Sequence, residues 1–102
     1  FHEKYRFLVC AVNQVAPFDA SEPWPASIAG VKMENYDAWM KTPYWISTTC
    51  CPAISVPAGF TDDALPVGIQ IVGPYRRRVE VLGIAHAIEQ ATGFGKRRPP
   101  GV

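Results

Sequence analysis

The longest uninterrupted apolar run of the chain covers residues 7–12, Phe-Leu-Val-Cys-Ala-Val. A run of this length and composition predicts a strand that is buried on both faces. Two further apolar stretches, residues 52–59 and 66–73, are bounded by proline and glycine and predict two more strands. The polar connection between them is short, which predicts an antiparallel hairpin. Gly68 and Gly73 indicate a close backbone approach or a bulge in the last strand.

Helical spacing of apolar residues predicts three helices. The first covers residues 34–41, and the second begins with Thr42 as its N-cap and Pro43 at its first position, ending before the next strand. The third and clearest covers residues 78–92, with Gly93 where a helix commonly ends. The residues predicted near the inner face of this last helix are Val81, Leu82, Ala85, Ile88 and Glu89.

The stretch from residue 13 to residue 30 follows no periodic pattern and contains three prolines. It is long for a connection inside a compact domain. Phe18 and Trp24 indicate that it is held against a surface, because aromatic side chains are costly to leave in water.

Composition narrows the class of protein. With 102 residues, 48% hydrophobic and 19% charged, the chain fits one small globular unit. The formal net charge of +1 gives no global attraction for nucleic acid or an anionic membrane. No apolar run approaches the roughly 20 residues of a membrane span. Three cysteines, an odd number, favour a reducing cytoplasm over a disulfide framework.

The candidate chemical groups give weak signals. No serine lies in a G-x-S-x-G turn, and no cysteine or histidine pair has the spacing of a zinc site. His86 is interpreted as an ordinary helix residue. The adjacent Cys50 and Cys51 are interpreted as buried small side chains at a helix end, with a redox pair as the alternative. Arg76 to Arg78 could pair with acidic groups or contact phosphate.

Aromatic and apolar side chains cluster at Trp39, Met40, Tyr44 and Trp45. Core packing is the default interpretation of such a cluster. The functional alternative is the hydrophobic wall of a ligand pocket.

Residues 52–61, Pro-Ala-Ile-Ser-Val-Pro-Ala-Gly-Phe-Thr, and residues 65–73, Leu-Pro-Val-Gly-Ile-Gln-Ile-Val-Gly, together resemble the C-terminal region of the amidase signature family. This family contains bacterial amidases, fatty acid amide hydrolase and the amidase component of glutamyl-tRNA amidotransferase. The resemblance extends from about Tyr5 to Pro99. One departure is Cys50, which stands where many relatives have glycine.

The resemblance implies an α/β fold, in which the chain forms the C-terminal part of an amidase-type mixed sheet sandwiched by helices. Residues 1–102 would form one segment that is incomplete as a stand-alone domain, with residues 95–102 as a flexible tail. It also implies amide hydrolysis by a Ser–cis-Ser–Lys triad, which no stretch of this chain resembles. No catalytic residue is therefore assigned here, and no metal or cofactor is implied. The implied substrate-pocket wall consists of Trp39, Met40 and Trp45.

Because the chain begins with Phe1, has no signal-peptide pattern and would leave apolar surface exposed, we expect it to belong to a longer cytoplasmic enzyme. The expected partners are the N-terminal catalytic part of that enzyme and a small-molecule amide, without nucleic acid or membrane. The isolated chain is expected to be inactive and to self-associate. The alternatives are a non-catalytic interaction module of the same fold and a redox or metal function of the cysteines.

Overall fold

The structure, a computed structural model, describes residues 1–98. Within this range, strands, α-helices and a final 3-10 helix succeed one another along the chain. In order they are β1 (Leu8–Ala11), β2 (Ser27–Ile28), β3 (Val31–Lys32), α1 (Tyr36–Trp39), α2 (Lys41–Thr48), β4 (Ala53–Phe60), β5 (Pro66–Val72), α3 (Arg78–Thr92) and the 3-10 helix Phe94–Lys96.

The main sheet has three antiparallel strands in the order β1-β5-β4. The predicted hairpin is confirmed: β4 and β5 pair so that Ile54 lies opposite Ile71 and Val56 lies opposite Ile69. These four side chains share one face because residues two apart along a strand point the same way. The α/β fold class is therefore confirmed, and the three strands seen here are all antiparallel.

Helix α3 covers that face of β4 and β5 and forms the core with it. Val56, Ile71 and Ala85 are buried together, and Ile84 and Ile88 pack against them. As predicted, α3 ends at Gly93, whose φ of 65° lies in the left-handed region and whose N–H donates to the Glu89 carbonyl at 2.8 Å.

The predicted inner face of α3 is wrong at one position. Leu82 is 57% exposed, whereas Val81 is buried against the sheet. Consecutive residues point about 100° apart around a helix, so these two neighbours cannot both face the sheet.

Strand β1 is not buried on both faces, which corrects the prediction drawn from its apolar run. Its burial alternates, and Val9 is 49% exposed. Val9 lies opposite Ile71 and therefore on the α3 side of the sheet. Because α3 packs on β4 and β5, it leaves this part of β1 uncovered.

The two middle helices are shorter than predicted and break at Met40. Helix α1 begins after Asn35, whose side-chain carbonyl accepts the Ala38 N–H at 3.0 Å. Helix α2 begins at Lys41, so Thr42 lies inside its first turn and is not the N-cap. Proline is tolerated in a first helical turn, which is why Pro43 does not stop the helix.

The irregular stretch between β1 and α1 is held against the rest of the chain, as predicted. Pro25 is buried and Trp24 is half-buried. The stretch ends in the small hairpin of β2 and β3, beside which the Met33 N–H donates to the Ala26 carbonyl at 2.9 Å. Strands of two residues are too short to give a periodic signal, so the sequence does not reveal them.

The predicted tail begins inside the 3-10 helix, which contains Gly95. Beyond it the Arg97 guanidinium lies 4.1 Å from the centre of the Phe60 ring, a cation–π contact. Residues 99–102 lie outside the described residues, so the flexible tail stays a prediction. Among residues 1–98, no helix has both the length and the apolarity needed to cross a membrane.

The close approaches predicted at Gly68 and Gly73 are present. A Cβ at Gly68 would lie 3.2 Å from the Ser55 hydroxyl oxygen, opposite an irregularity of β4 between Pro57 and Gly59. A Cβ at Gly73 would overlap a methyl group of Val81 on α3. Glycine therefore lets α3 approach the end of β5.

The two cysteines after α2 are not both buried, which corrects the sequence interpretation. Cys50 is exposed and Cys51 is half-buried. Cys50 has a φ of 55°, in the left-handed region that favours glycine. It occupies the position where the resemblance has glycine, so the turn that leads into β4 has kept a glycine conformation without the glycine.

We expect Gly73→Ala to destabilise the chain by about 1–3 kcal/mol, since the added methyl must push Val81 and α3 away from the sheet. The matched control is Gly83→Ala, where a Cβ meets no atom within 4 Å. That change should stabilise α3 by about 0.5–1 kcal/mol. Urea unfolding measures both, and equal effects of the two changes would contradict the close contact at Gly73.

We expect Cys50→Gly to raise the free energy of unfolding by about 0.5–1 kcal/mol. Relief of the left-handed backbone is worth about 1–2 kcal/mol, and the greater freedom of an unfolded glycine costs part of it. Cys50→Ala removes the thiol but keeps the strain, so its stability should match that of the original chain. A gain with alanine equal to that with glycine would show that the thiol, and not the backbone, is the source of instability.

Candidate functional site

A cleft of about 620 Å³ lies where β1 leaves the sheet and the β4–β5 hairpin turns away from it. Three parts of the chain enclose it: the segment that follows β1, the end of α1, and the outer half of the hairpin. The lining residues are Ala11, Val12, Asn13, Gln14, Val15, Ala16, Pro17, Phe18, Trp39, Ala58, Pro66, Val67, Gly68 and Ile69.

The segment after β1 is anchored at its beginning. Gln70, a buried polar side chain on β5, donates from Nε2 to the Ala11 carbonyl at 3.3 Å. The Val12 N–H donates to the Gly68 carbonyl at 3.4 Å. These bonds fix the point from which residues 13–18 cross the end of the sheet.

Aromatic rings form one wall of the cleft. The rings of Phe18 and Trp39 meet edge to face, with centroids 5.5 Å apart and planes at 88°. Tyr36 contacts Trp39 in the same manner, with centroids 5.8 Å apart. Edge-to-face pairs of this kind add about 0.5–1.5 kcal/mol to the burial of the rings. Trp39 thus ties α1 to the segment that follows β1.

The irregularity of β4 forms the opposite wall. Between Pro57 and Gly59 the register shifts by one residue, so Ala58 is left out of the pairing with β5. Ala58 lines the cleft. Bulges often occur next to active sites, where they change the direction of a side chain.

Among the described residues that line the cleft, none carries a charge. The nearest acidic residue along the chain is Asp19, directly after Phe18. Hydrogen bonds from the Ser21 side chain and backbone N–H hold the pKa of Asp19 below its ordinary value, and the N–H bond measures 2.8 Å. Asp19 is thereby engaged in its own exposed turn. The cleft offers apolar surface and neutral polar groups to a ligand.

Within residues 1–98, two polar atoms of cleft residues are buried without a hydrogen-bond partner: Gln14 Oε1, an acceptor, and Trp39 Nε1, a donor. Leaving such an atom unpaired costs about 1–3 kcal/mol. Buried polar atoms are nearly always paired, so each exception calls for an explanation.

The structure separates the three residues assigned to a pocket wall. Trp39 lines the cleft, whereas Met40 and Trp45 are not among its lining residues. Met40 is half-buried at the junction of α1 and α2. Trp45 is 59% exposed on α2, beside Tyr44, with ring centroids 6.3 Å apart.

Gln14 and Phe18 are the lining residues that sequence reasoning missed. Both lie in the irregular stretch, where no periodic pattern indicates which side chains face inward. The one available signal is the pairing of aromatic residues with prolines in a long connection.

The remaining candidate groups are not brought together. His86 is exposed on α3, and across residues 1–98 no three His, Cys, Asp or Glu side chains lie close enough to hold a metal ion. Of the arginines before α3, Arg77 pairs with Glu80 at 3.1 Å. Arg6 also pairs with Glu80, at 2.8 Å. This acid therefore balances part of the positive charge at the start of α3.

Comparisons with known proteins agree on one family. The sequence model of the Amidase family matches residues 1–82. One relative is the amidase component, called A, of the glutamyl-tRNA(Gln) amidotransferase of Ralstonia nicotianae. It is 54% identical over 48 residues, which are 47% of this chain and 10% of that protein. The corresponding protein of Chromohalobacter salexigens is 35% identical over 79 residues, 76% of this chain and 16% of that protein.

A solved structure has the same fold. It is described as a bacterial aryl acylamidase belonging to the amidase signature enzymes family, and it matches with a TM-score of 0.83 at 23% identity. The match covers 95% of this chain and 21% of that one. This chain therefore spans between about a tenth and a fifth of the length of these relatives. The resemblance drawn from residues 52–61 and 65–73 is confirmed, and the chain belongs to the amidase signature family.

Proposed function

We propose that this chain is the C-terminal portion of an enzyme that hydrolyses a carboxylic amide to the acid and ammonia or an amine. The observation that carries the proposal is the Amidase family match over residues 1–82. The uncharged cleft supports it, because apolar clefts with a few polar groups are the usual form of small-molecule sites.

The proposed mechanism is nucleophilic catalysis by a Ser–cis-Ser–Lys triad. A lysine withdraws a proton through the middle serine, the nucleophilic serine attacks the amide carbon, and backbone N–H groups stabilise the oxyanion. We place all three residues outside this chain. Ser55 lies in the middle of β4, and Lys4, Lys32 and Lys41 are exposed on three separate segments. This arrangement favours a supporting role for the chain over a catalytic one.

The proposed partner of this chain is the N-terminal catalytic part of the same enzyme. Val9 on β1 and Val79 and Leu82 on α3 are large apolar side chains left exposed. Strand β1 also lies at an edge of the sheet. Unpaired edges and exposed apolar side chains are typical of surfaces that another segment covers. Without that segment we expect the chain to self-associate.

The proposed substrate is a small neutral amide. The relatives are described as an aryl acylamidase and as components of a glutamyl-tRNA(Gln) amidotransferase. The absence of charge among the described lining residues favours an uncharged apolar acyl or amine group. The three free cysteines support a reducing compartment, and we propose the cytoplasm.

We expect the full-length enzyme that contains this chain to release ammonia from neutral primary amides, and the isolated chain to release none. Ammonia is measured by coupled glutamate dehydrogenase, and the isolated chain should elute as a species larger than a monomer. A full-length protein without activity on any amide would favour a non-catalytic interaction module of the same fold. Hydrolysis by the isolated chain would contradict the placement of the triad outside it.

We keep Trp39, Met40 and Trp45 as the proposed wall and expect Trp39 to contribute most. In the full-length enzyme, Trp39→Ala should raise KM for a neutral amide about tenfold, since it removes a large apolar contact. Trp45→Ala is the matched variant and should change KM less than about twofold. Steady-state kinetics compares them, with circular dichroism as the folding control. A larger effect at Trp45 would mean that the substrate lies along α2 and not in the cleft.

A further inference from the structure

We infer that Phe18 and Gln14 select the substrate, and that the cleft takes a neutral aryl amide with at least one N–H. The aryl ring packs against the Phe18–Trp39 pair, and the amide N–H donates to the Gln14 carbonyl. The inference rests on the proposed amide hydrolysis and names the substrate class of that site.

The aromatic wall supports the aryl group. Phe18 is 39% exposed although it contacts Trp39, so part of its ring remains open to a ligand. The volume of about 620 Å³ holds a benzene ring with its substituent. A third ring can join an edge-to-face pair by the same quadrupole attraction, which a saturated ring of equal size lacks.

The unpaired polar atoms support the amide. Gln14 Oε1 is a buried acceptor and Trp39 Nε1 a buried donor, both on side chains that line the cleft. An amide N–H complements the first atom and an amide carbonyl complements the second. The terminal torsion of glutamine is soft, so the Gln14 carbonyl can turn into the cleft at low cost. A site built to receive an N–H discriminates against the ester, which has none.

The remaining walls favour a flat, uncharged ligand. Ala58 projects only a methyl group from the bulge of β4, and Gly68 exposes bare backbone beside Val12. No charged side chain among the described lining residues would repay the desolvation of an ionised substrate.

The test measures kcat/KM of the full-length enzyme for benzamide, cyclohexanecarboxamide and methyl benzoate. We expect benzamide to be preferred about tenfold over the saturated ring. Phe18→Leu should remove this preference and leave activity on cyclohexanecarboxamide intact, which also shows that the variant folds. Gln14→Leu should reduce the preference for benzamide over methyl benzoate by about three- to tenfold. Tyr75→Leu, an exposed aromatic residue outside the cleft, is the matched control and should change neither ratio.

A binding measurement gives a readout that does not depend on turnover. With ¹⁵N-labelled tryptophan, benzamide should shift the indole N–H resonance of Trp39, assigned by its loss in Trp39→Phe. The resonance of Trp24, which does not line the cleft, should stay in place and serves as the control.

The outcomes separate this inference from the proposed function. Amide hydrolysis with equal rates for benzamide and the saturated amide, unchanged by Phe18→Leu, overturns the inference and leaves the function standing. A Trp24 shift without a Trp39 shift also overturns it. No hydrolysis of any amide overturns the proposed function and the inference with it. An aryl preference lost in Phe18→Leu, together with the Trp39 shift, supports both.

Discussion

The packing of α3 against the β4–β5 hairpin around Ile71 is the contact on which the other elements depend. Ile71 has no exposed surface, and β5 is the strand with a neighbour on each side. The chain reaches α3 from β5 in five residues, and Gly73 lets the helix lie close to the strand it follows. A local connection of this kind costs little loop-closure entropy. The hairpin and the helix can therefore form one stable unit, to which β1 is added by pairing with β5.

The cleft lies at the far end of this unit, which explains why its walls are irregular. Helix α3 supports the middle of the hairpin, while the bulge at Ala58 and the segment after β1 occupy the end that the helix leaves free. Loops on a rigid sheet commonly carry binding groups for this reason. Gln70 couples the two regions, because its side chain is buried on β5 and donates to the carbonyl at the start of the cleft segment.

The parts of the fold that could be predicted from sequence are those with local signals. The β4–β5 hairpin has proline and glycine at its boundaries, and α3 has both apolar spacing and Gly93 as its end. The break at Met40 gives no such signal, since Thr42 and Pro43 form an equally good helix start one residue later. Of the cleft, only Trp39 was found, because a helical aromatic is visible in the pattern. Phe18 and Gln14 are placed by tertiary contacts and hydrogen bonds that the pattern of a single sequence does not contain.

Two kinds of unsatisfied surface remain on the described part of the chain, and they have different physical meanings. The side chains of Val9, Val79 and Leu82 are apolar and exposed, so any apolar cover of the right shape lowers their free energy. That demand is unspecific and suits a permanent neighbouring segment. The unpaired atoms of Gln14 and Trp39 require a donor and an acceptor at fixed positions, which unspecific burial cannot supply. A ligand that brings both groups and then leaves after hydrolysis fits this second demand, whereas a permanent segment fits the first. The two surfaces therefore divide the chain into a side that assembles the enzyme and an end that selects its substrate.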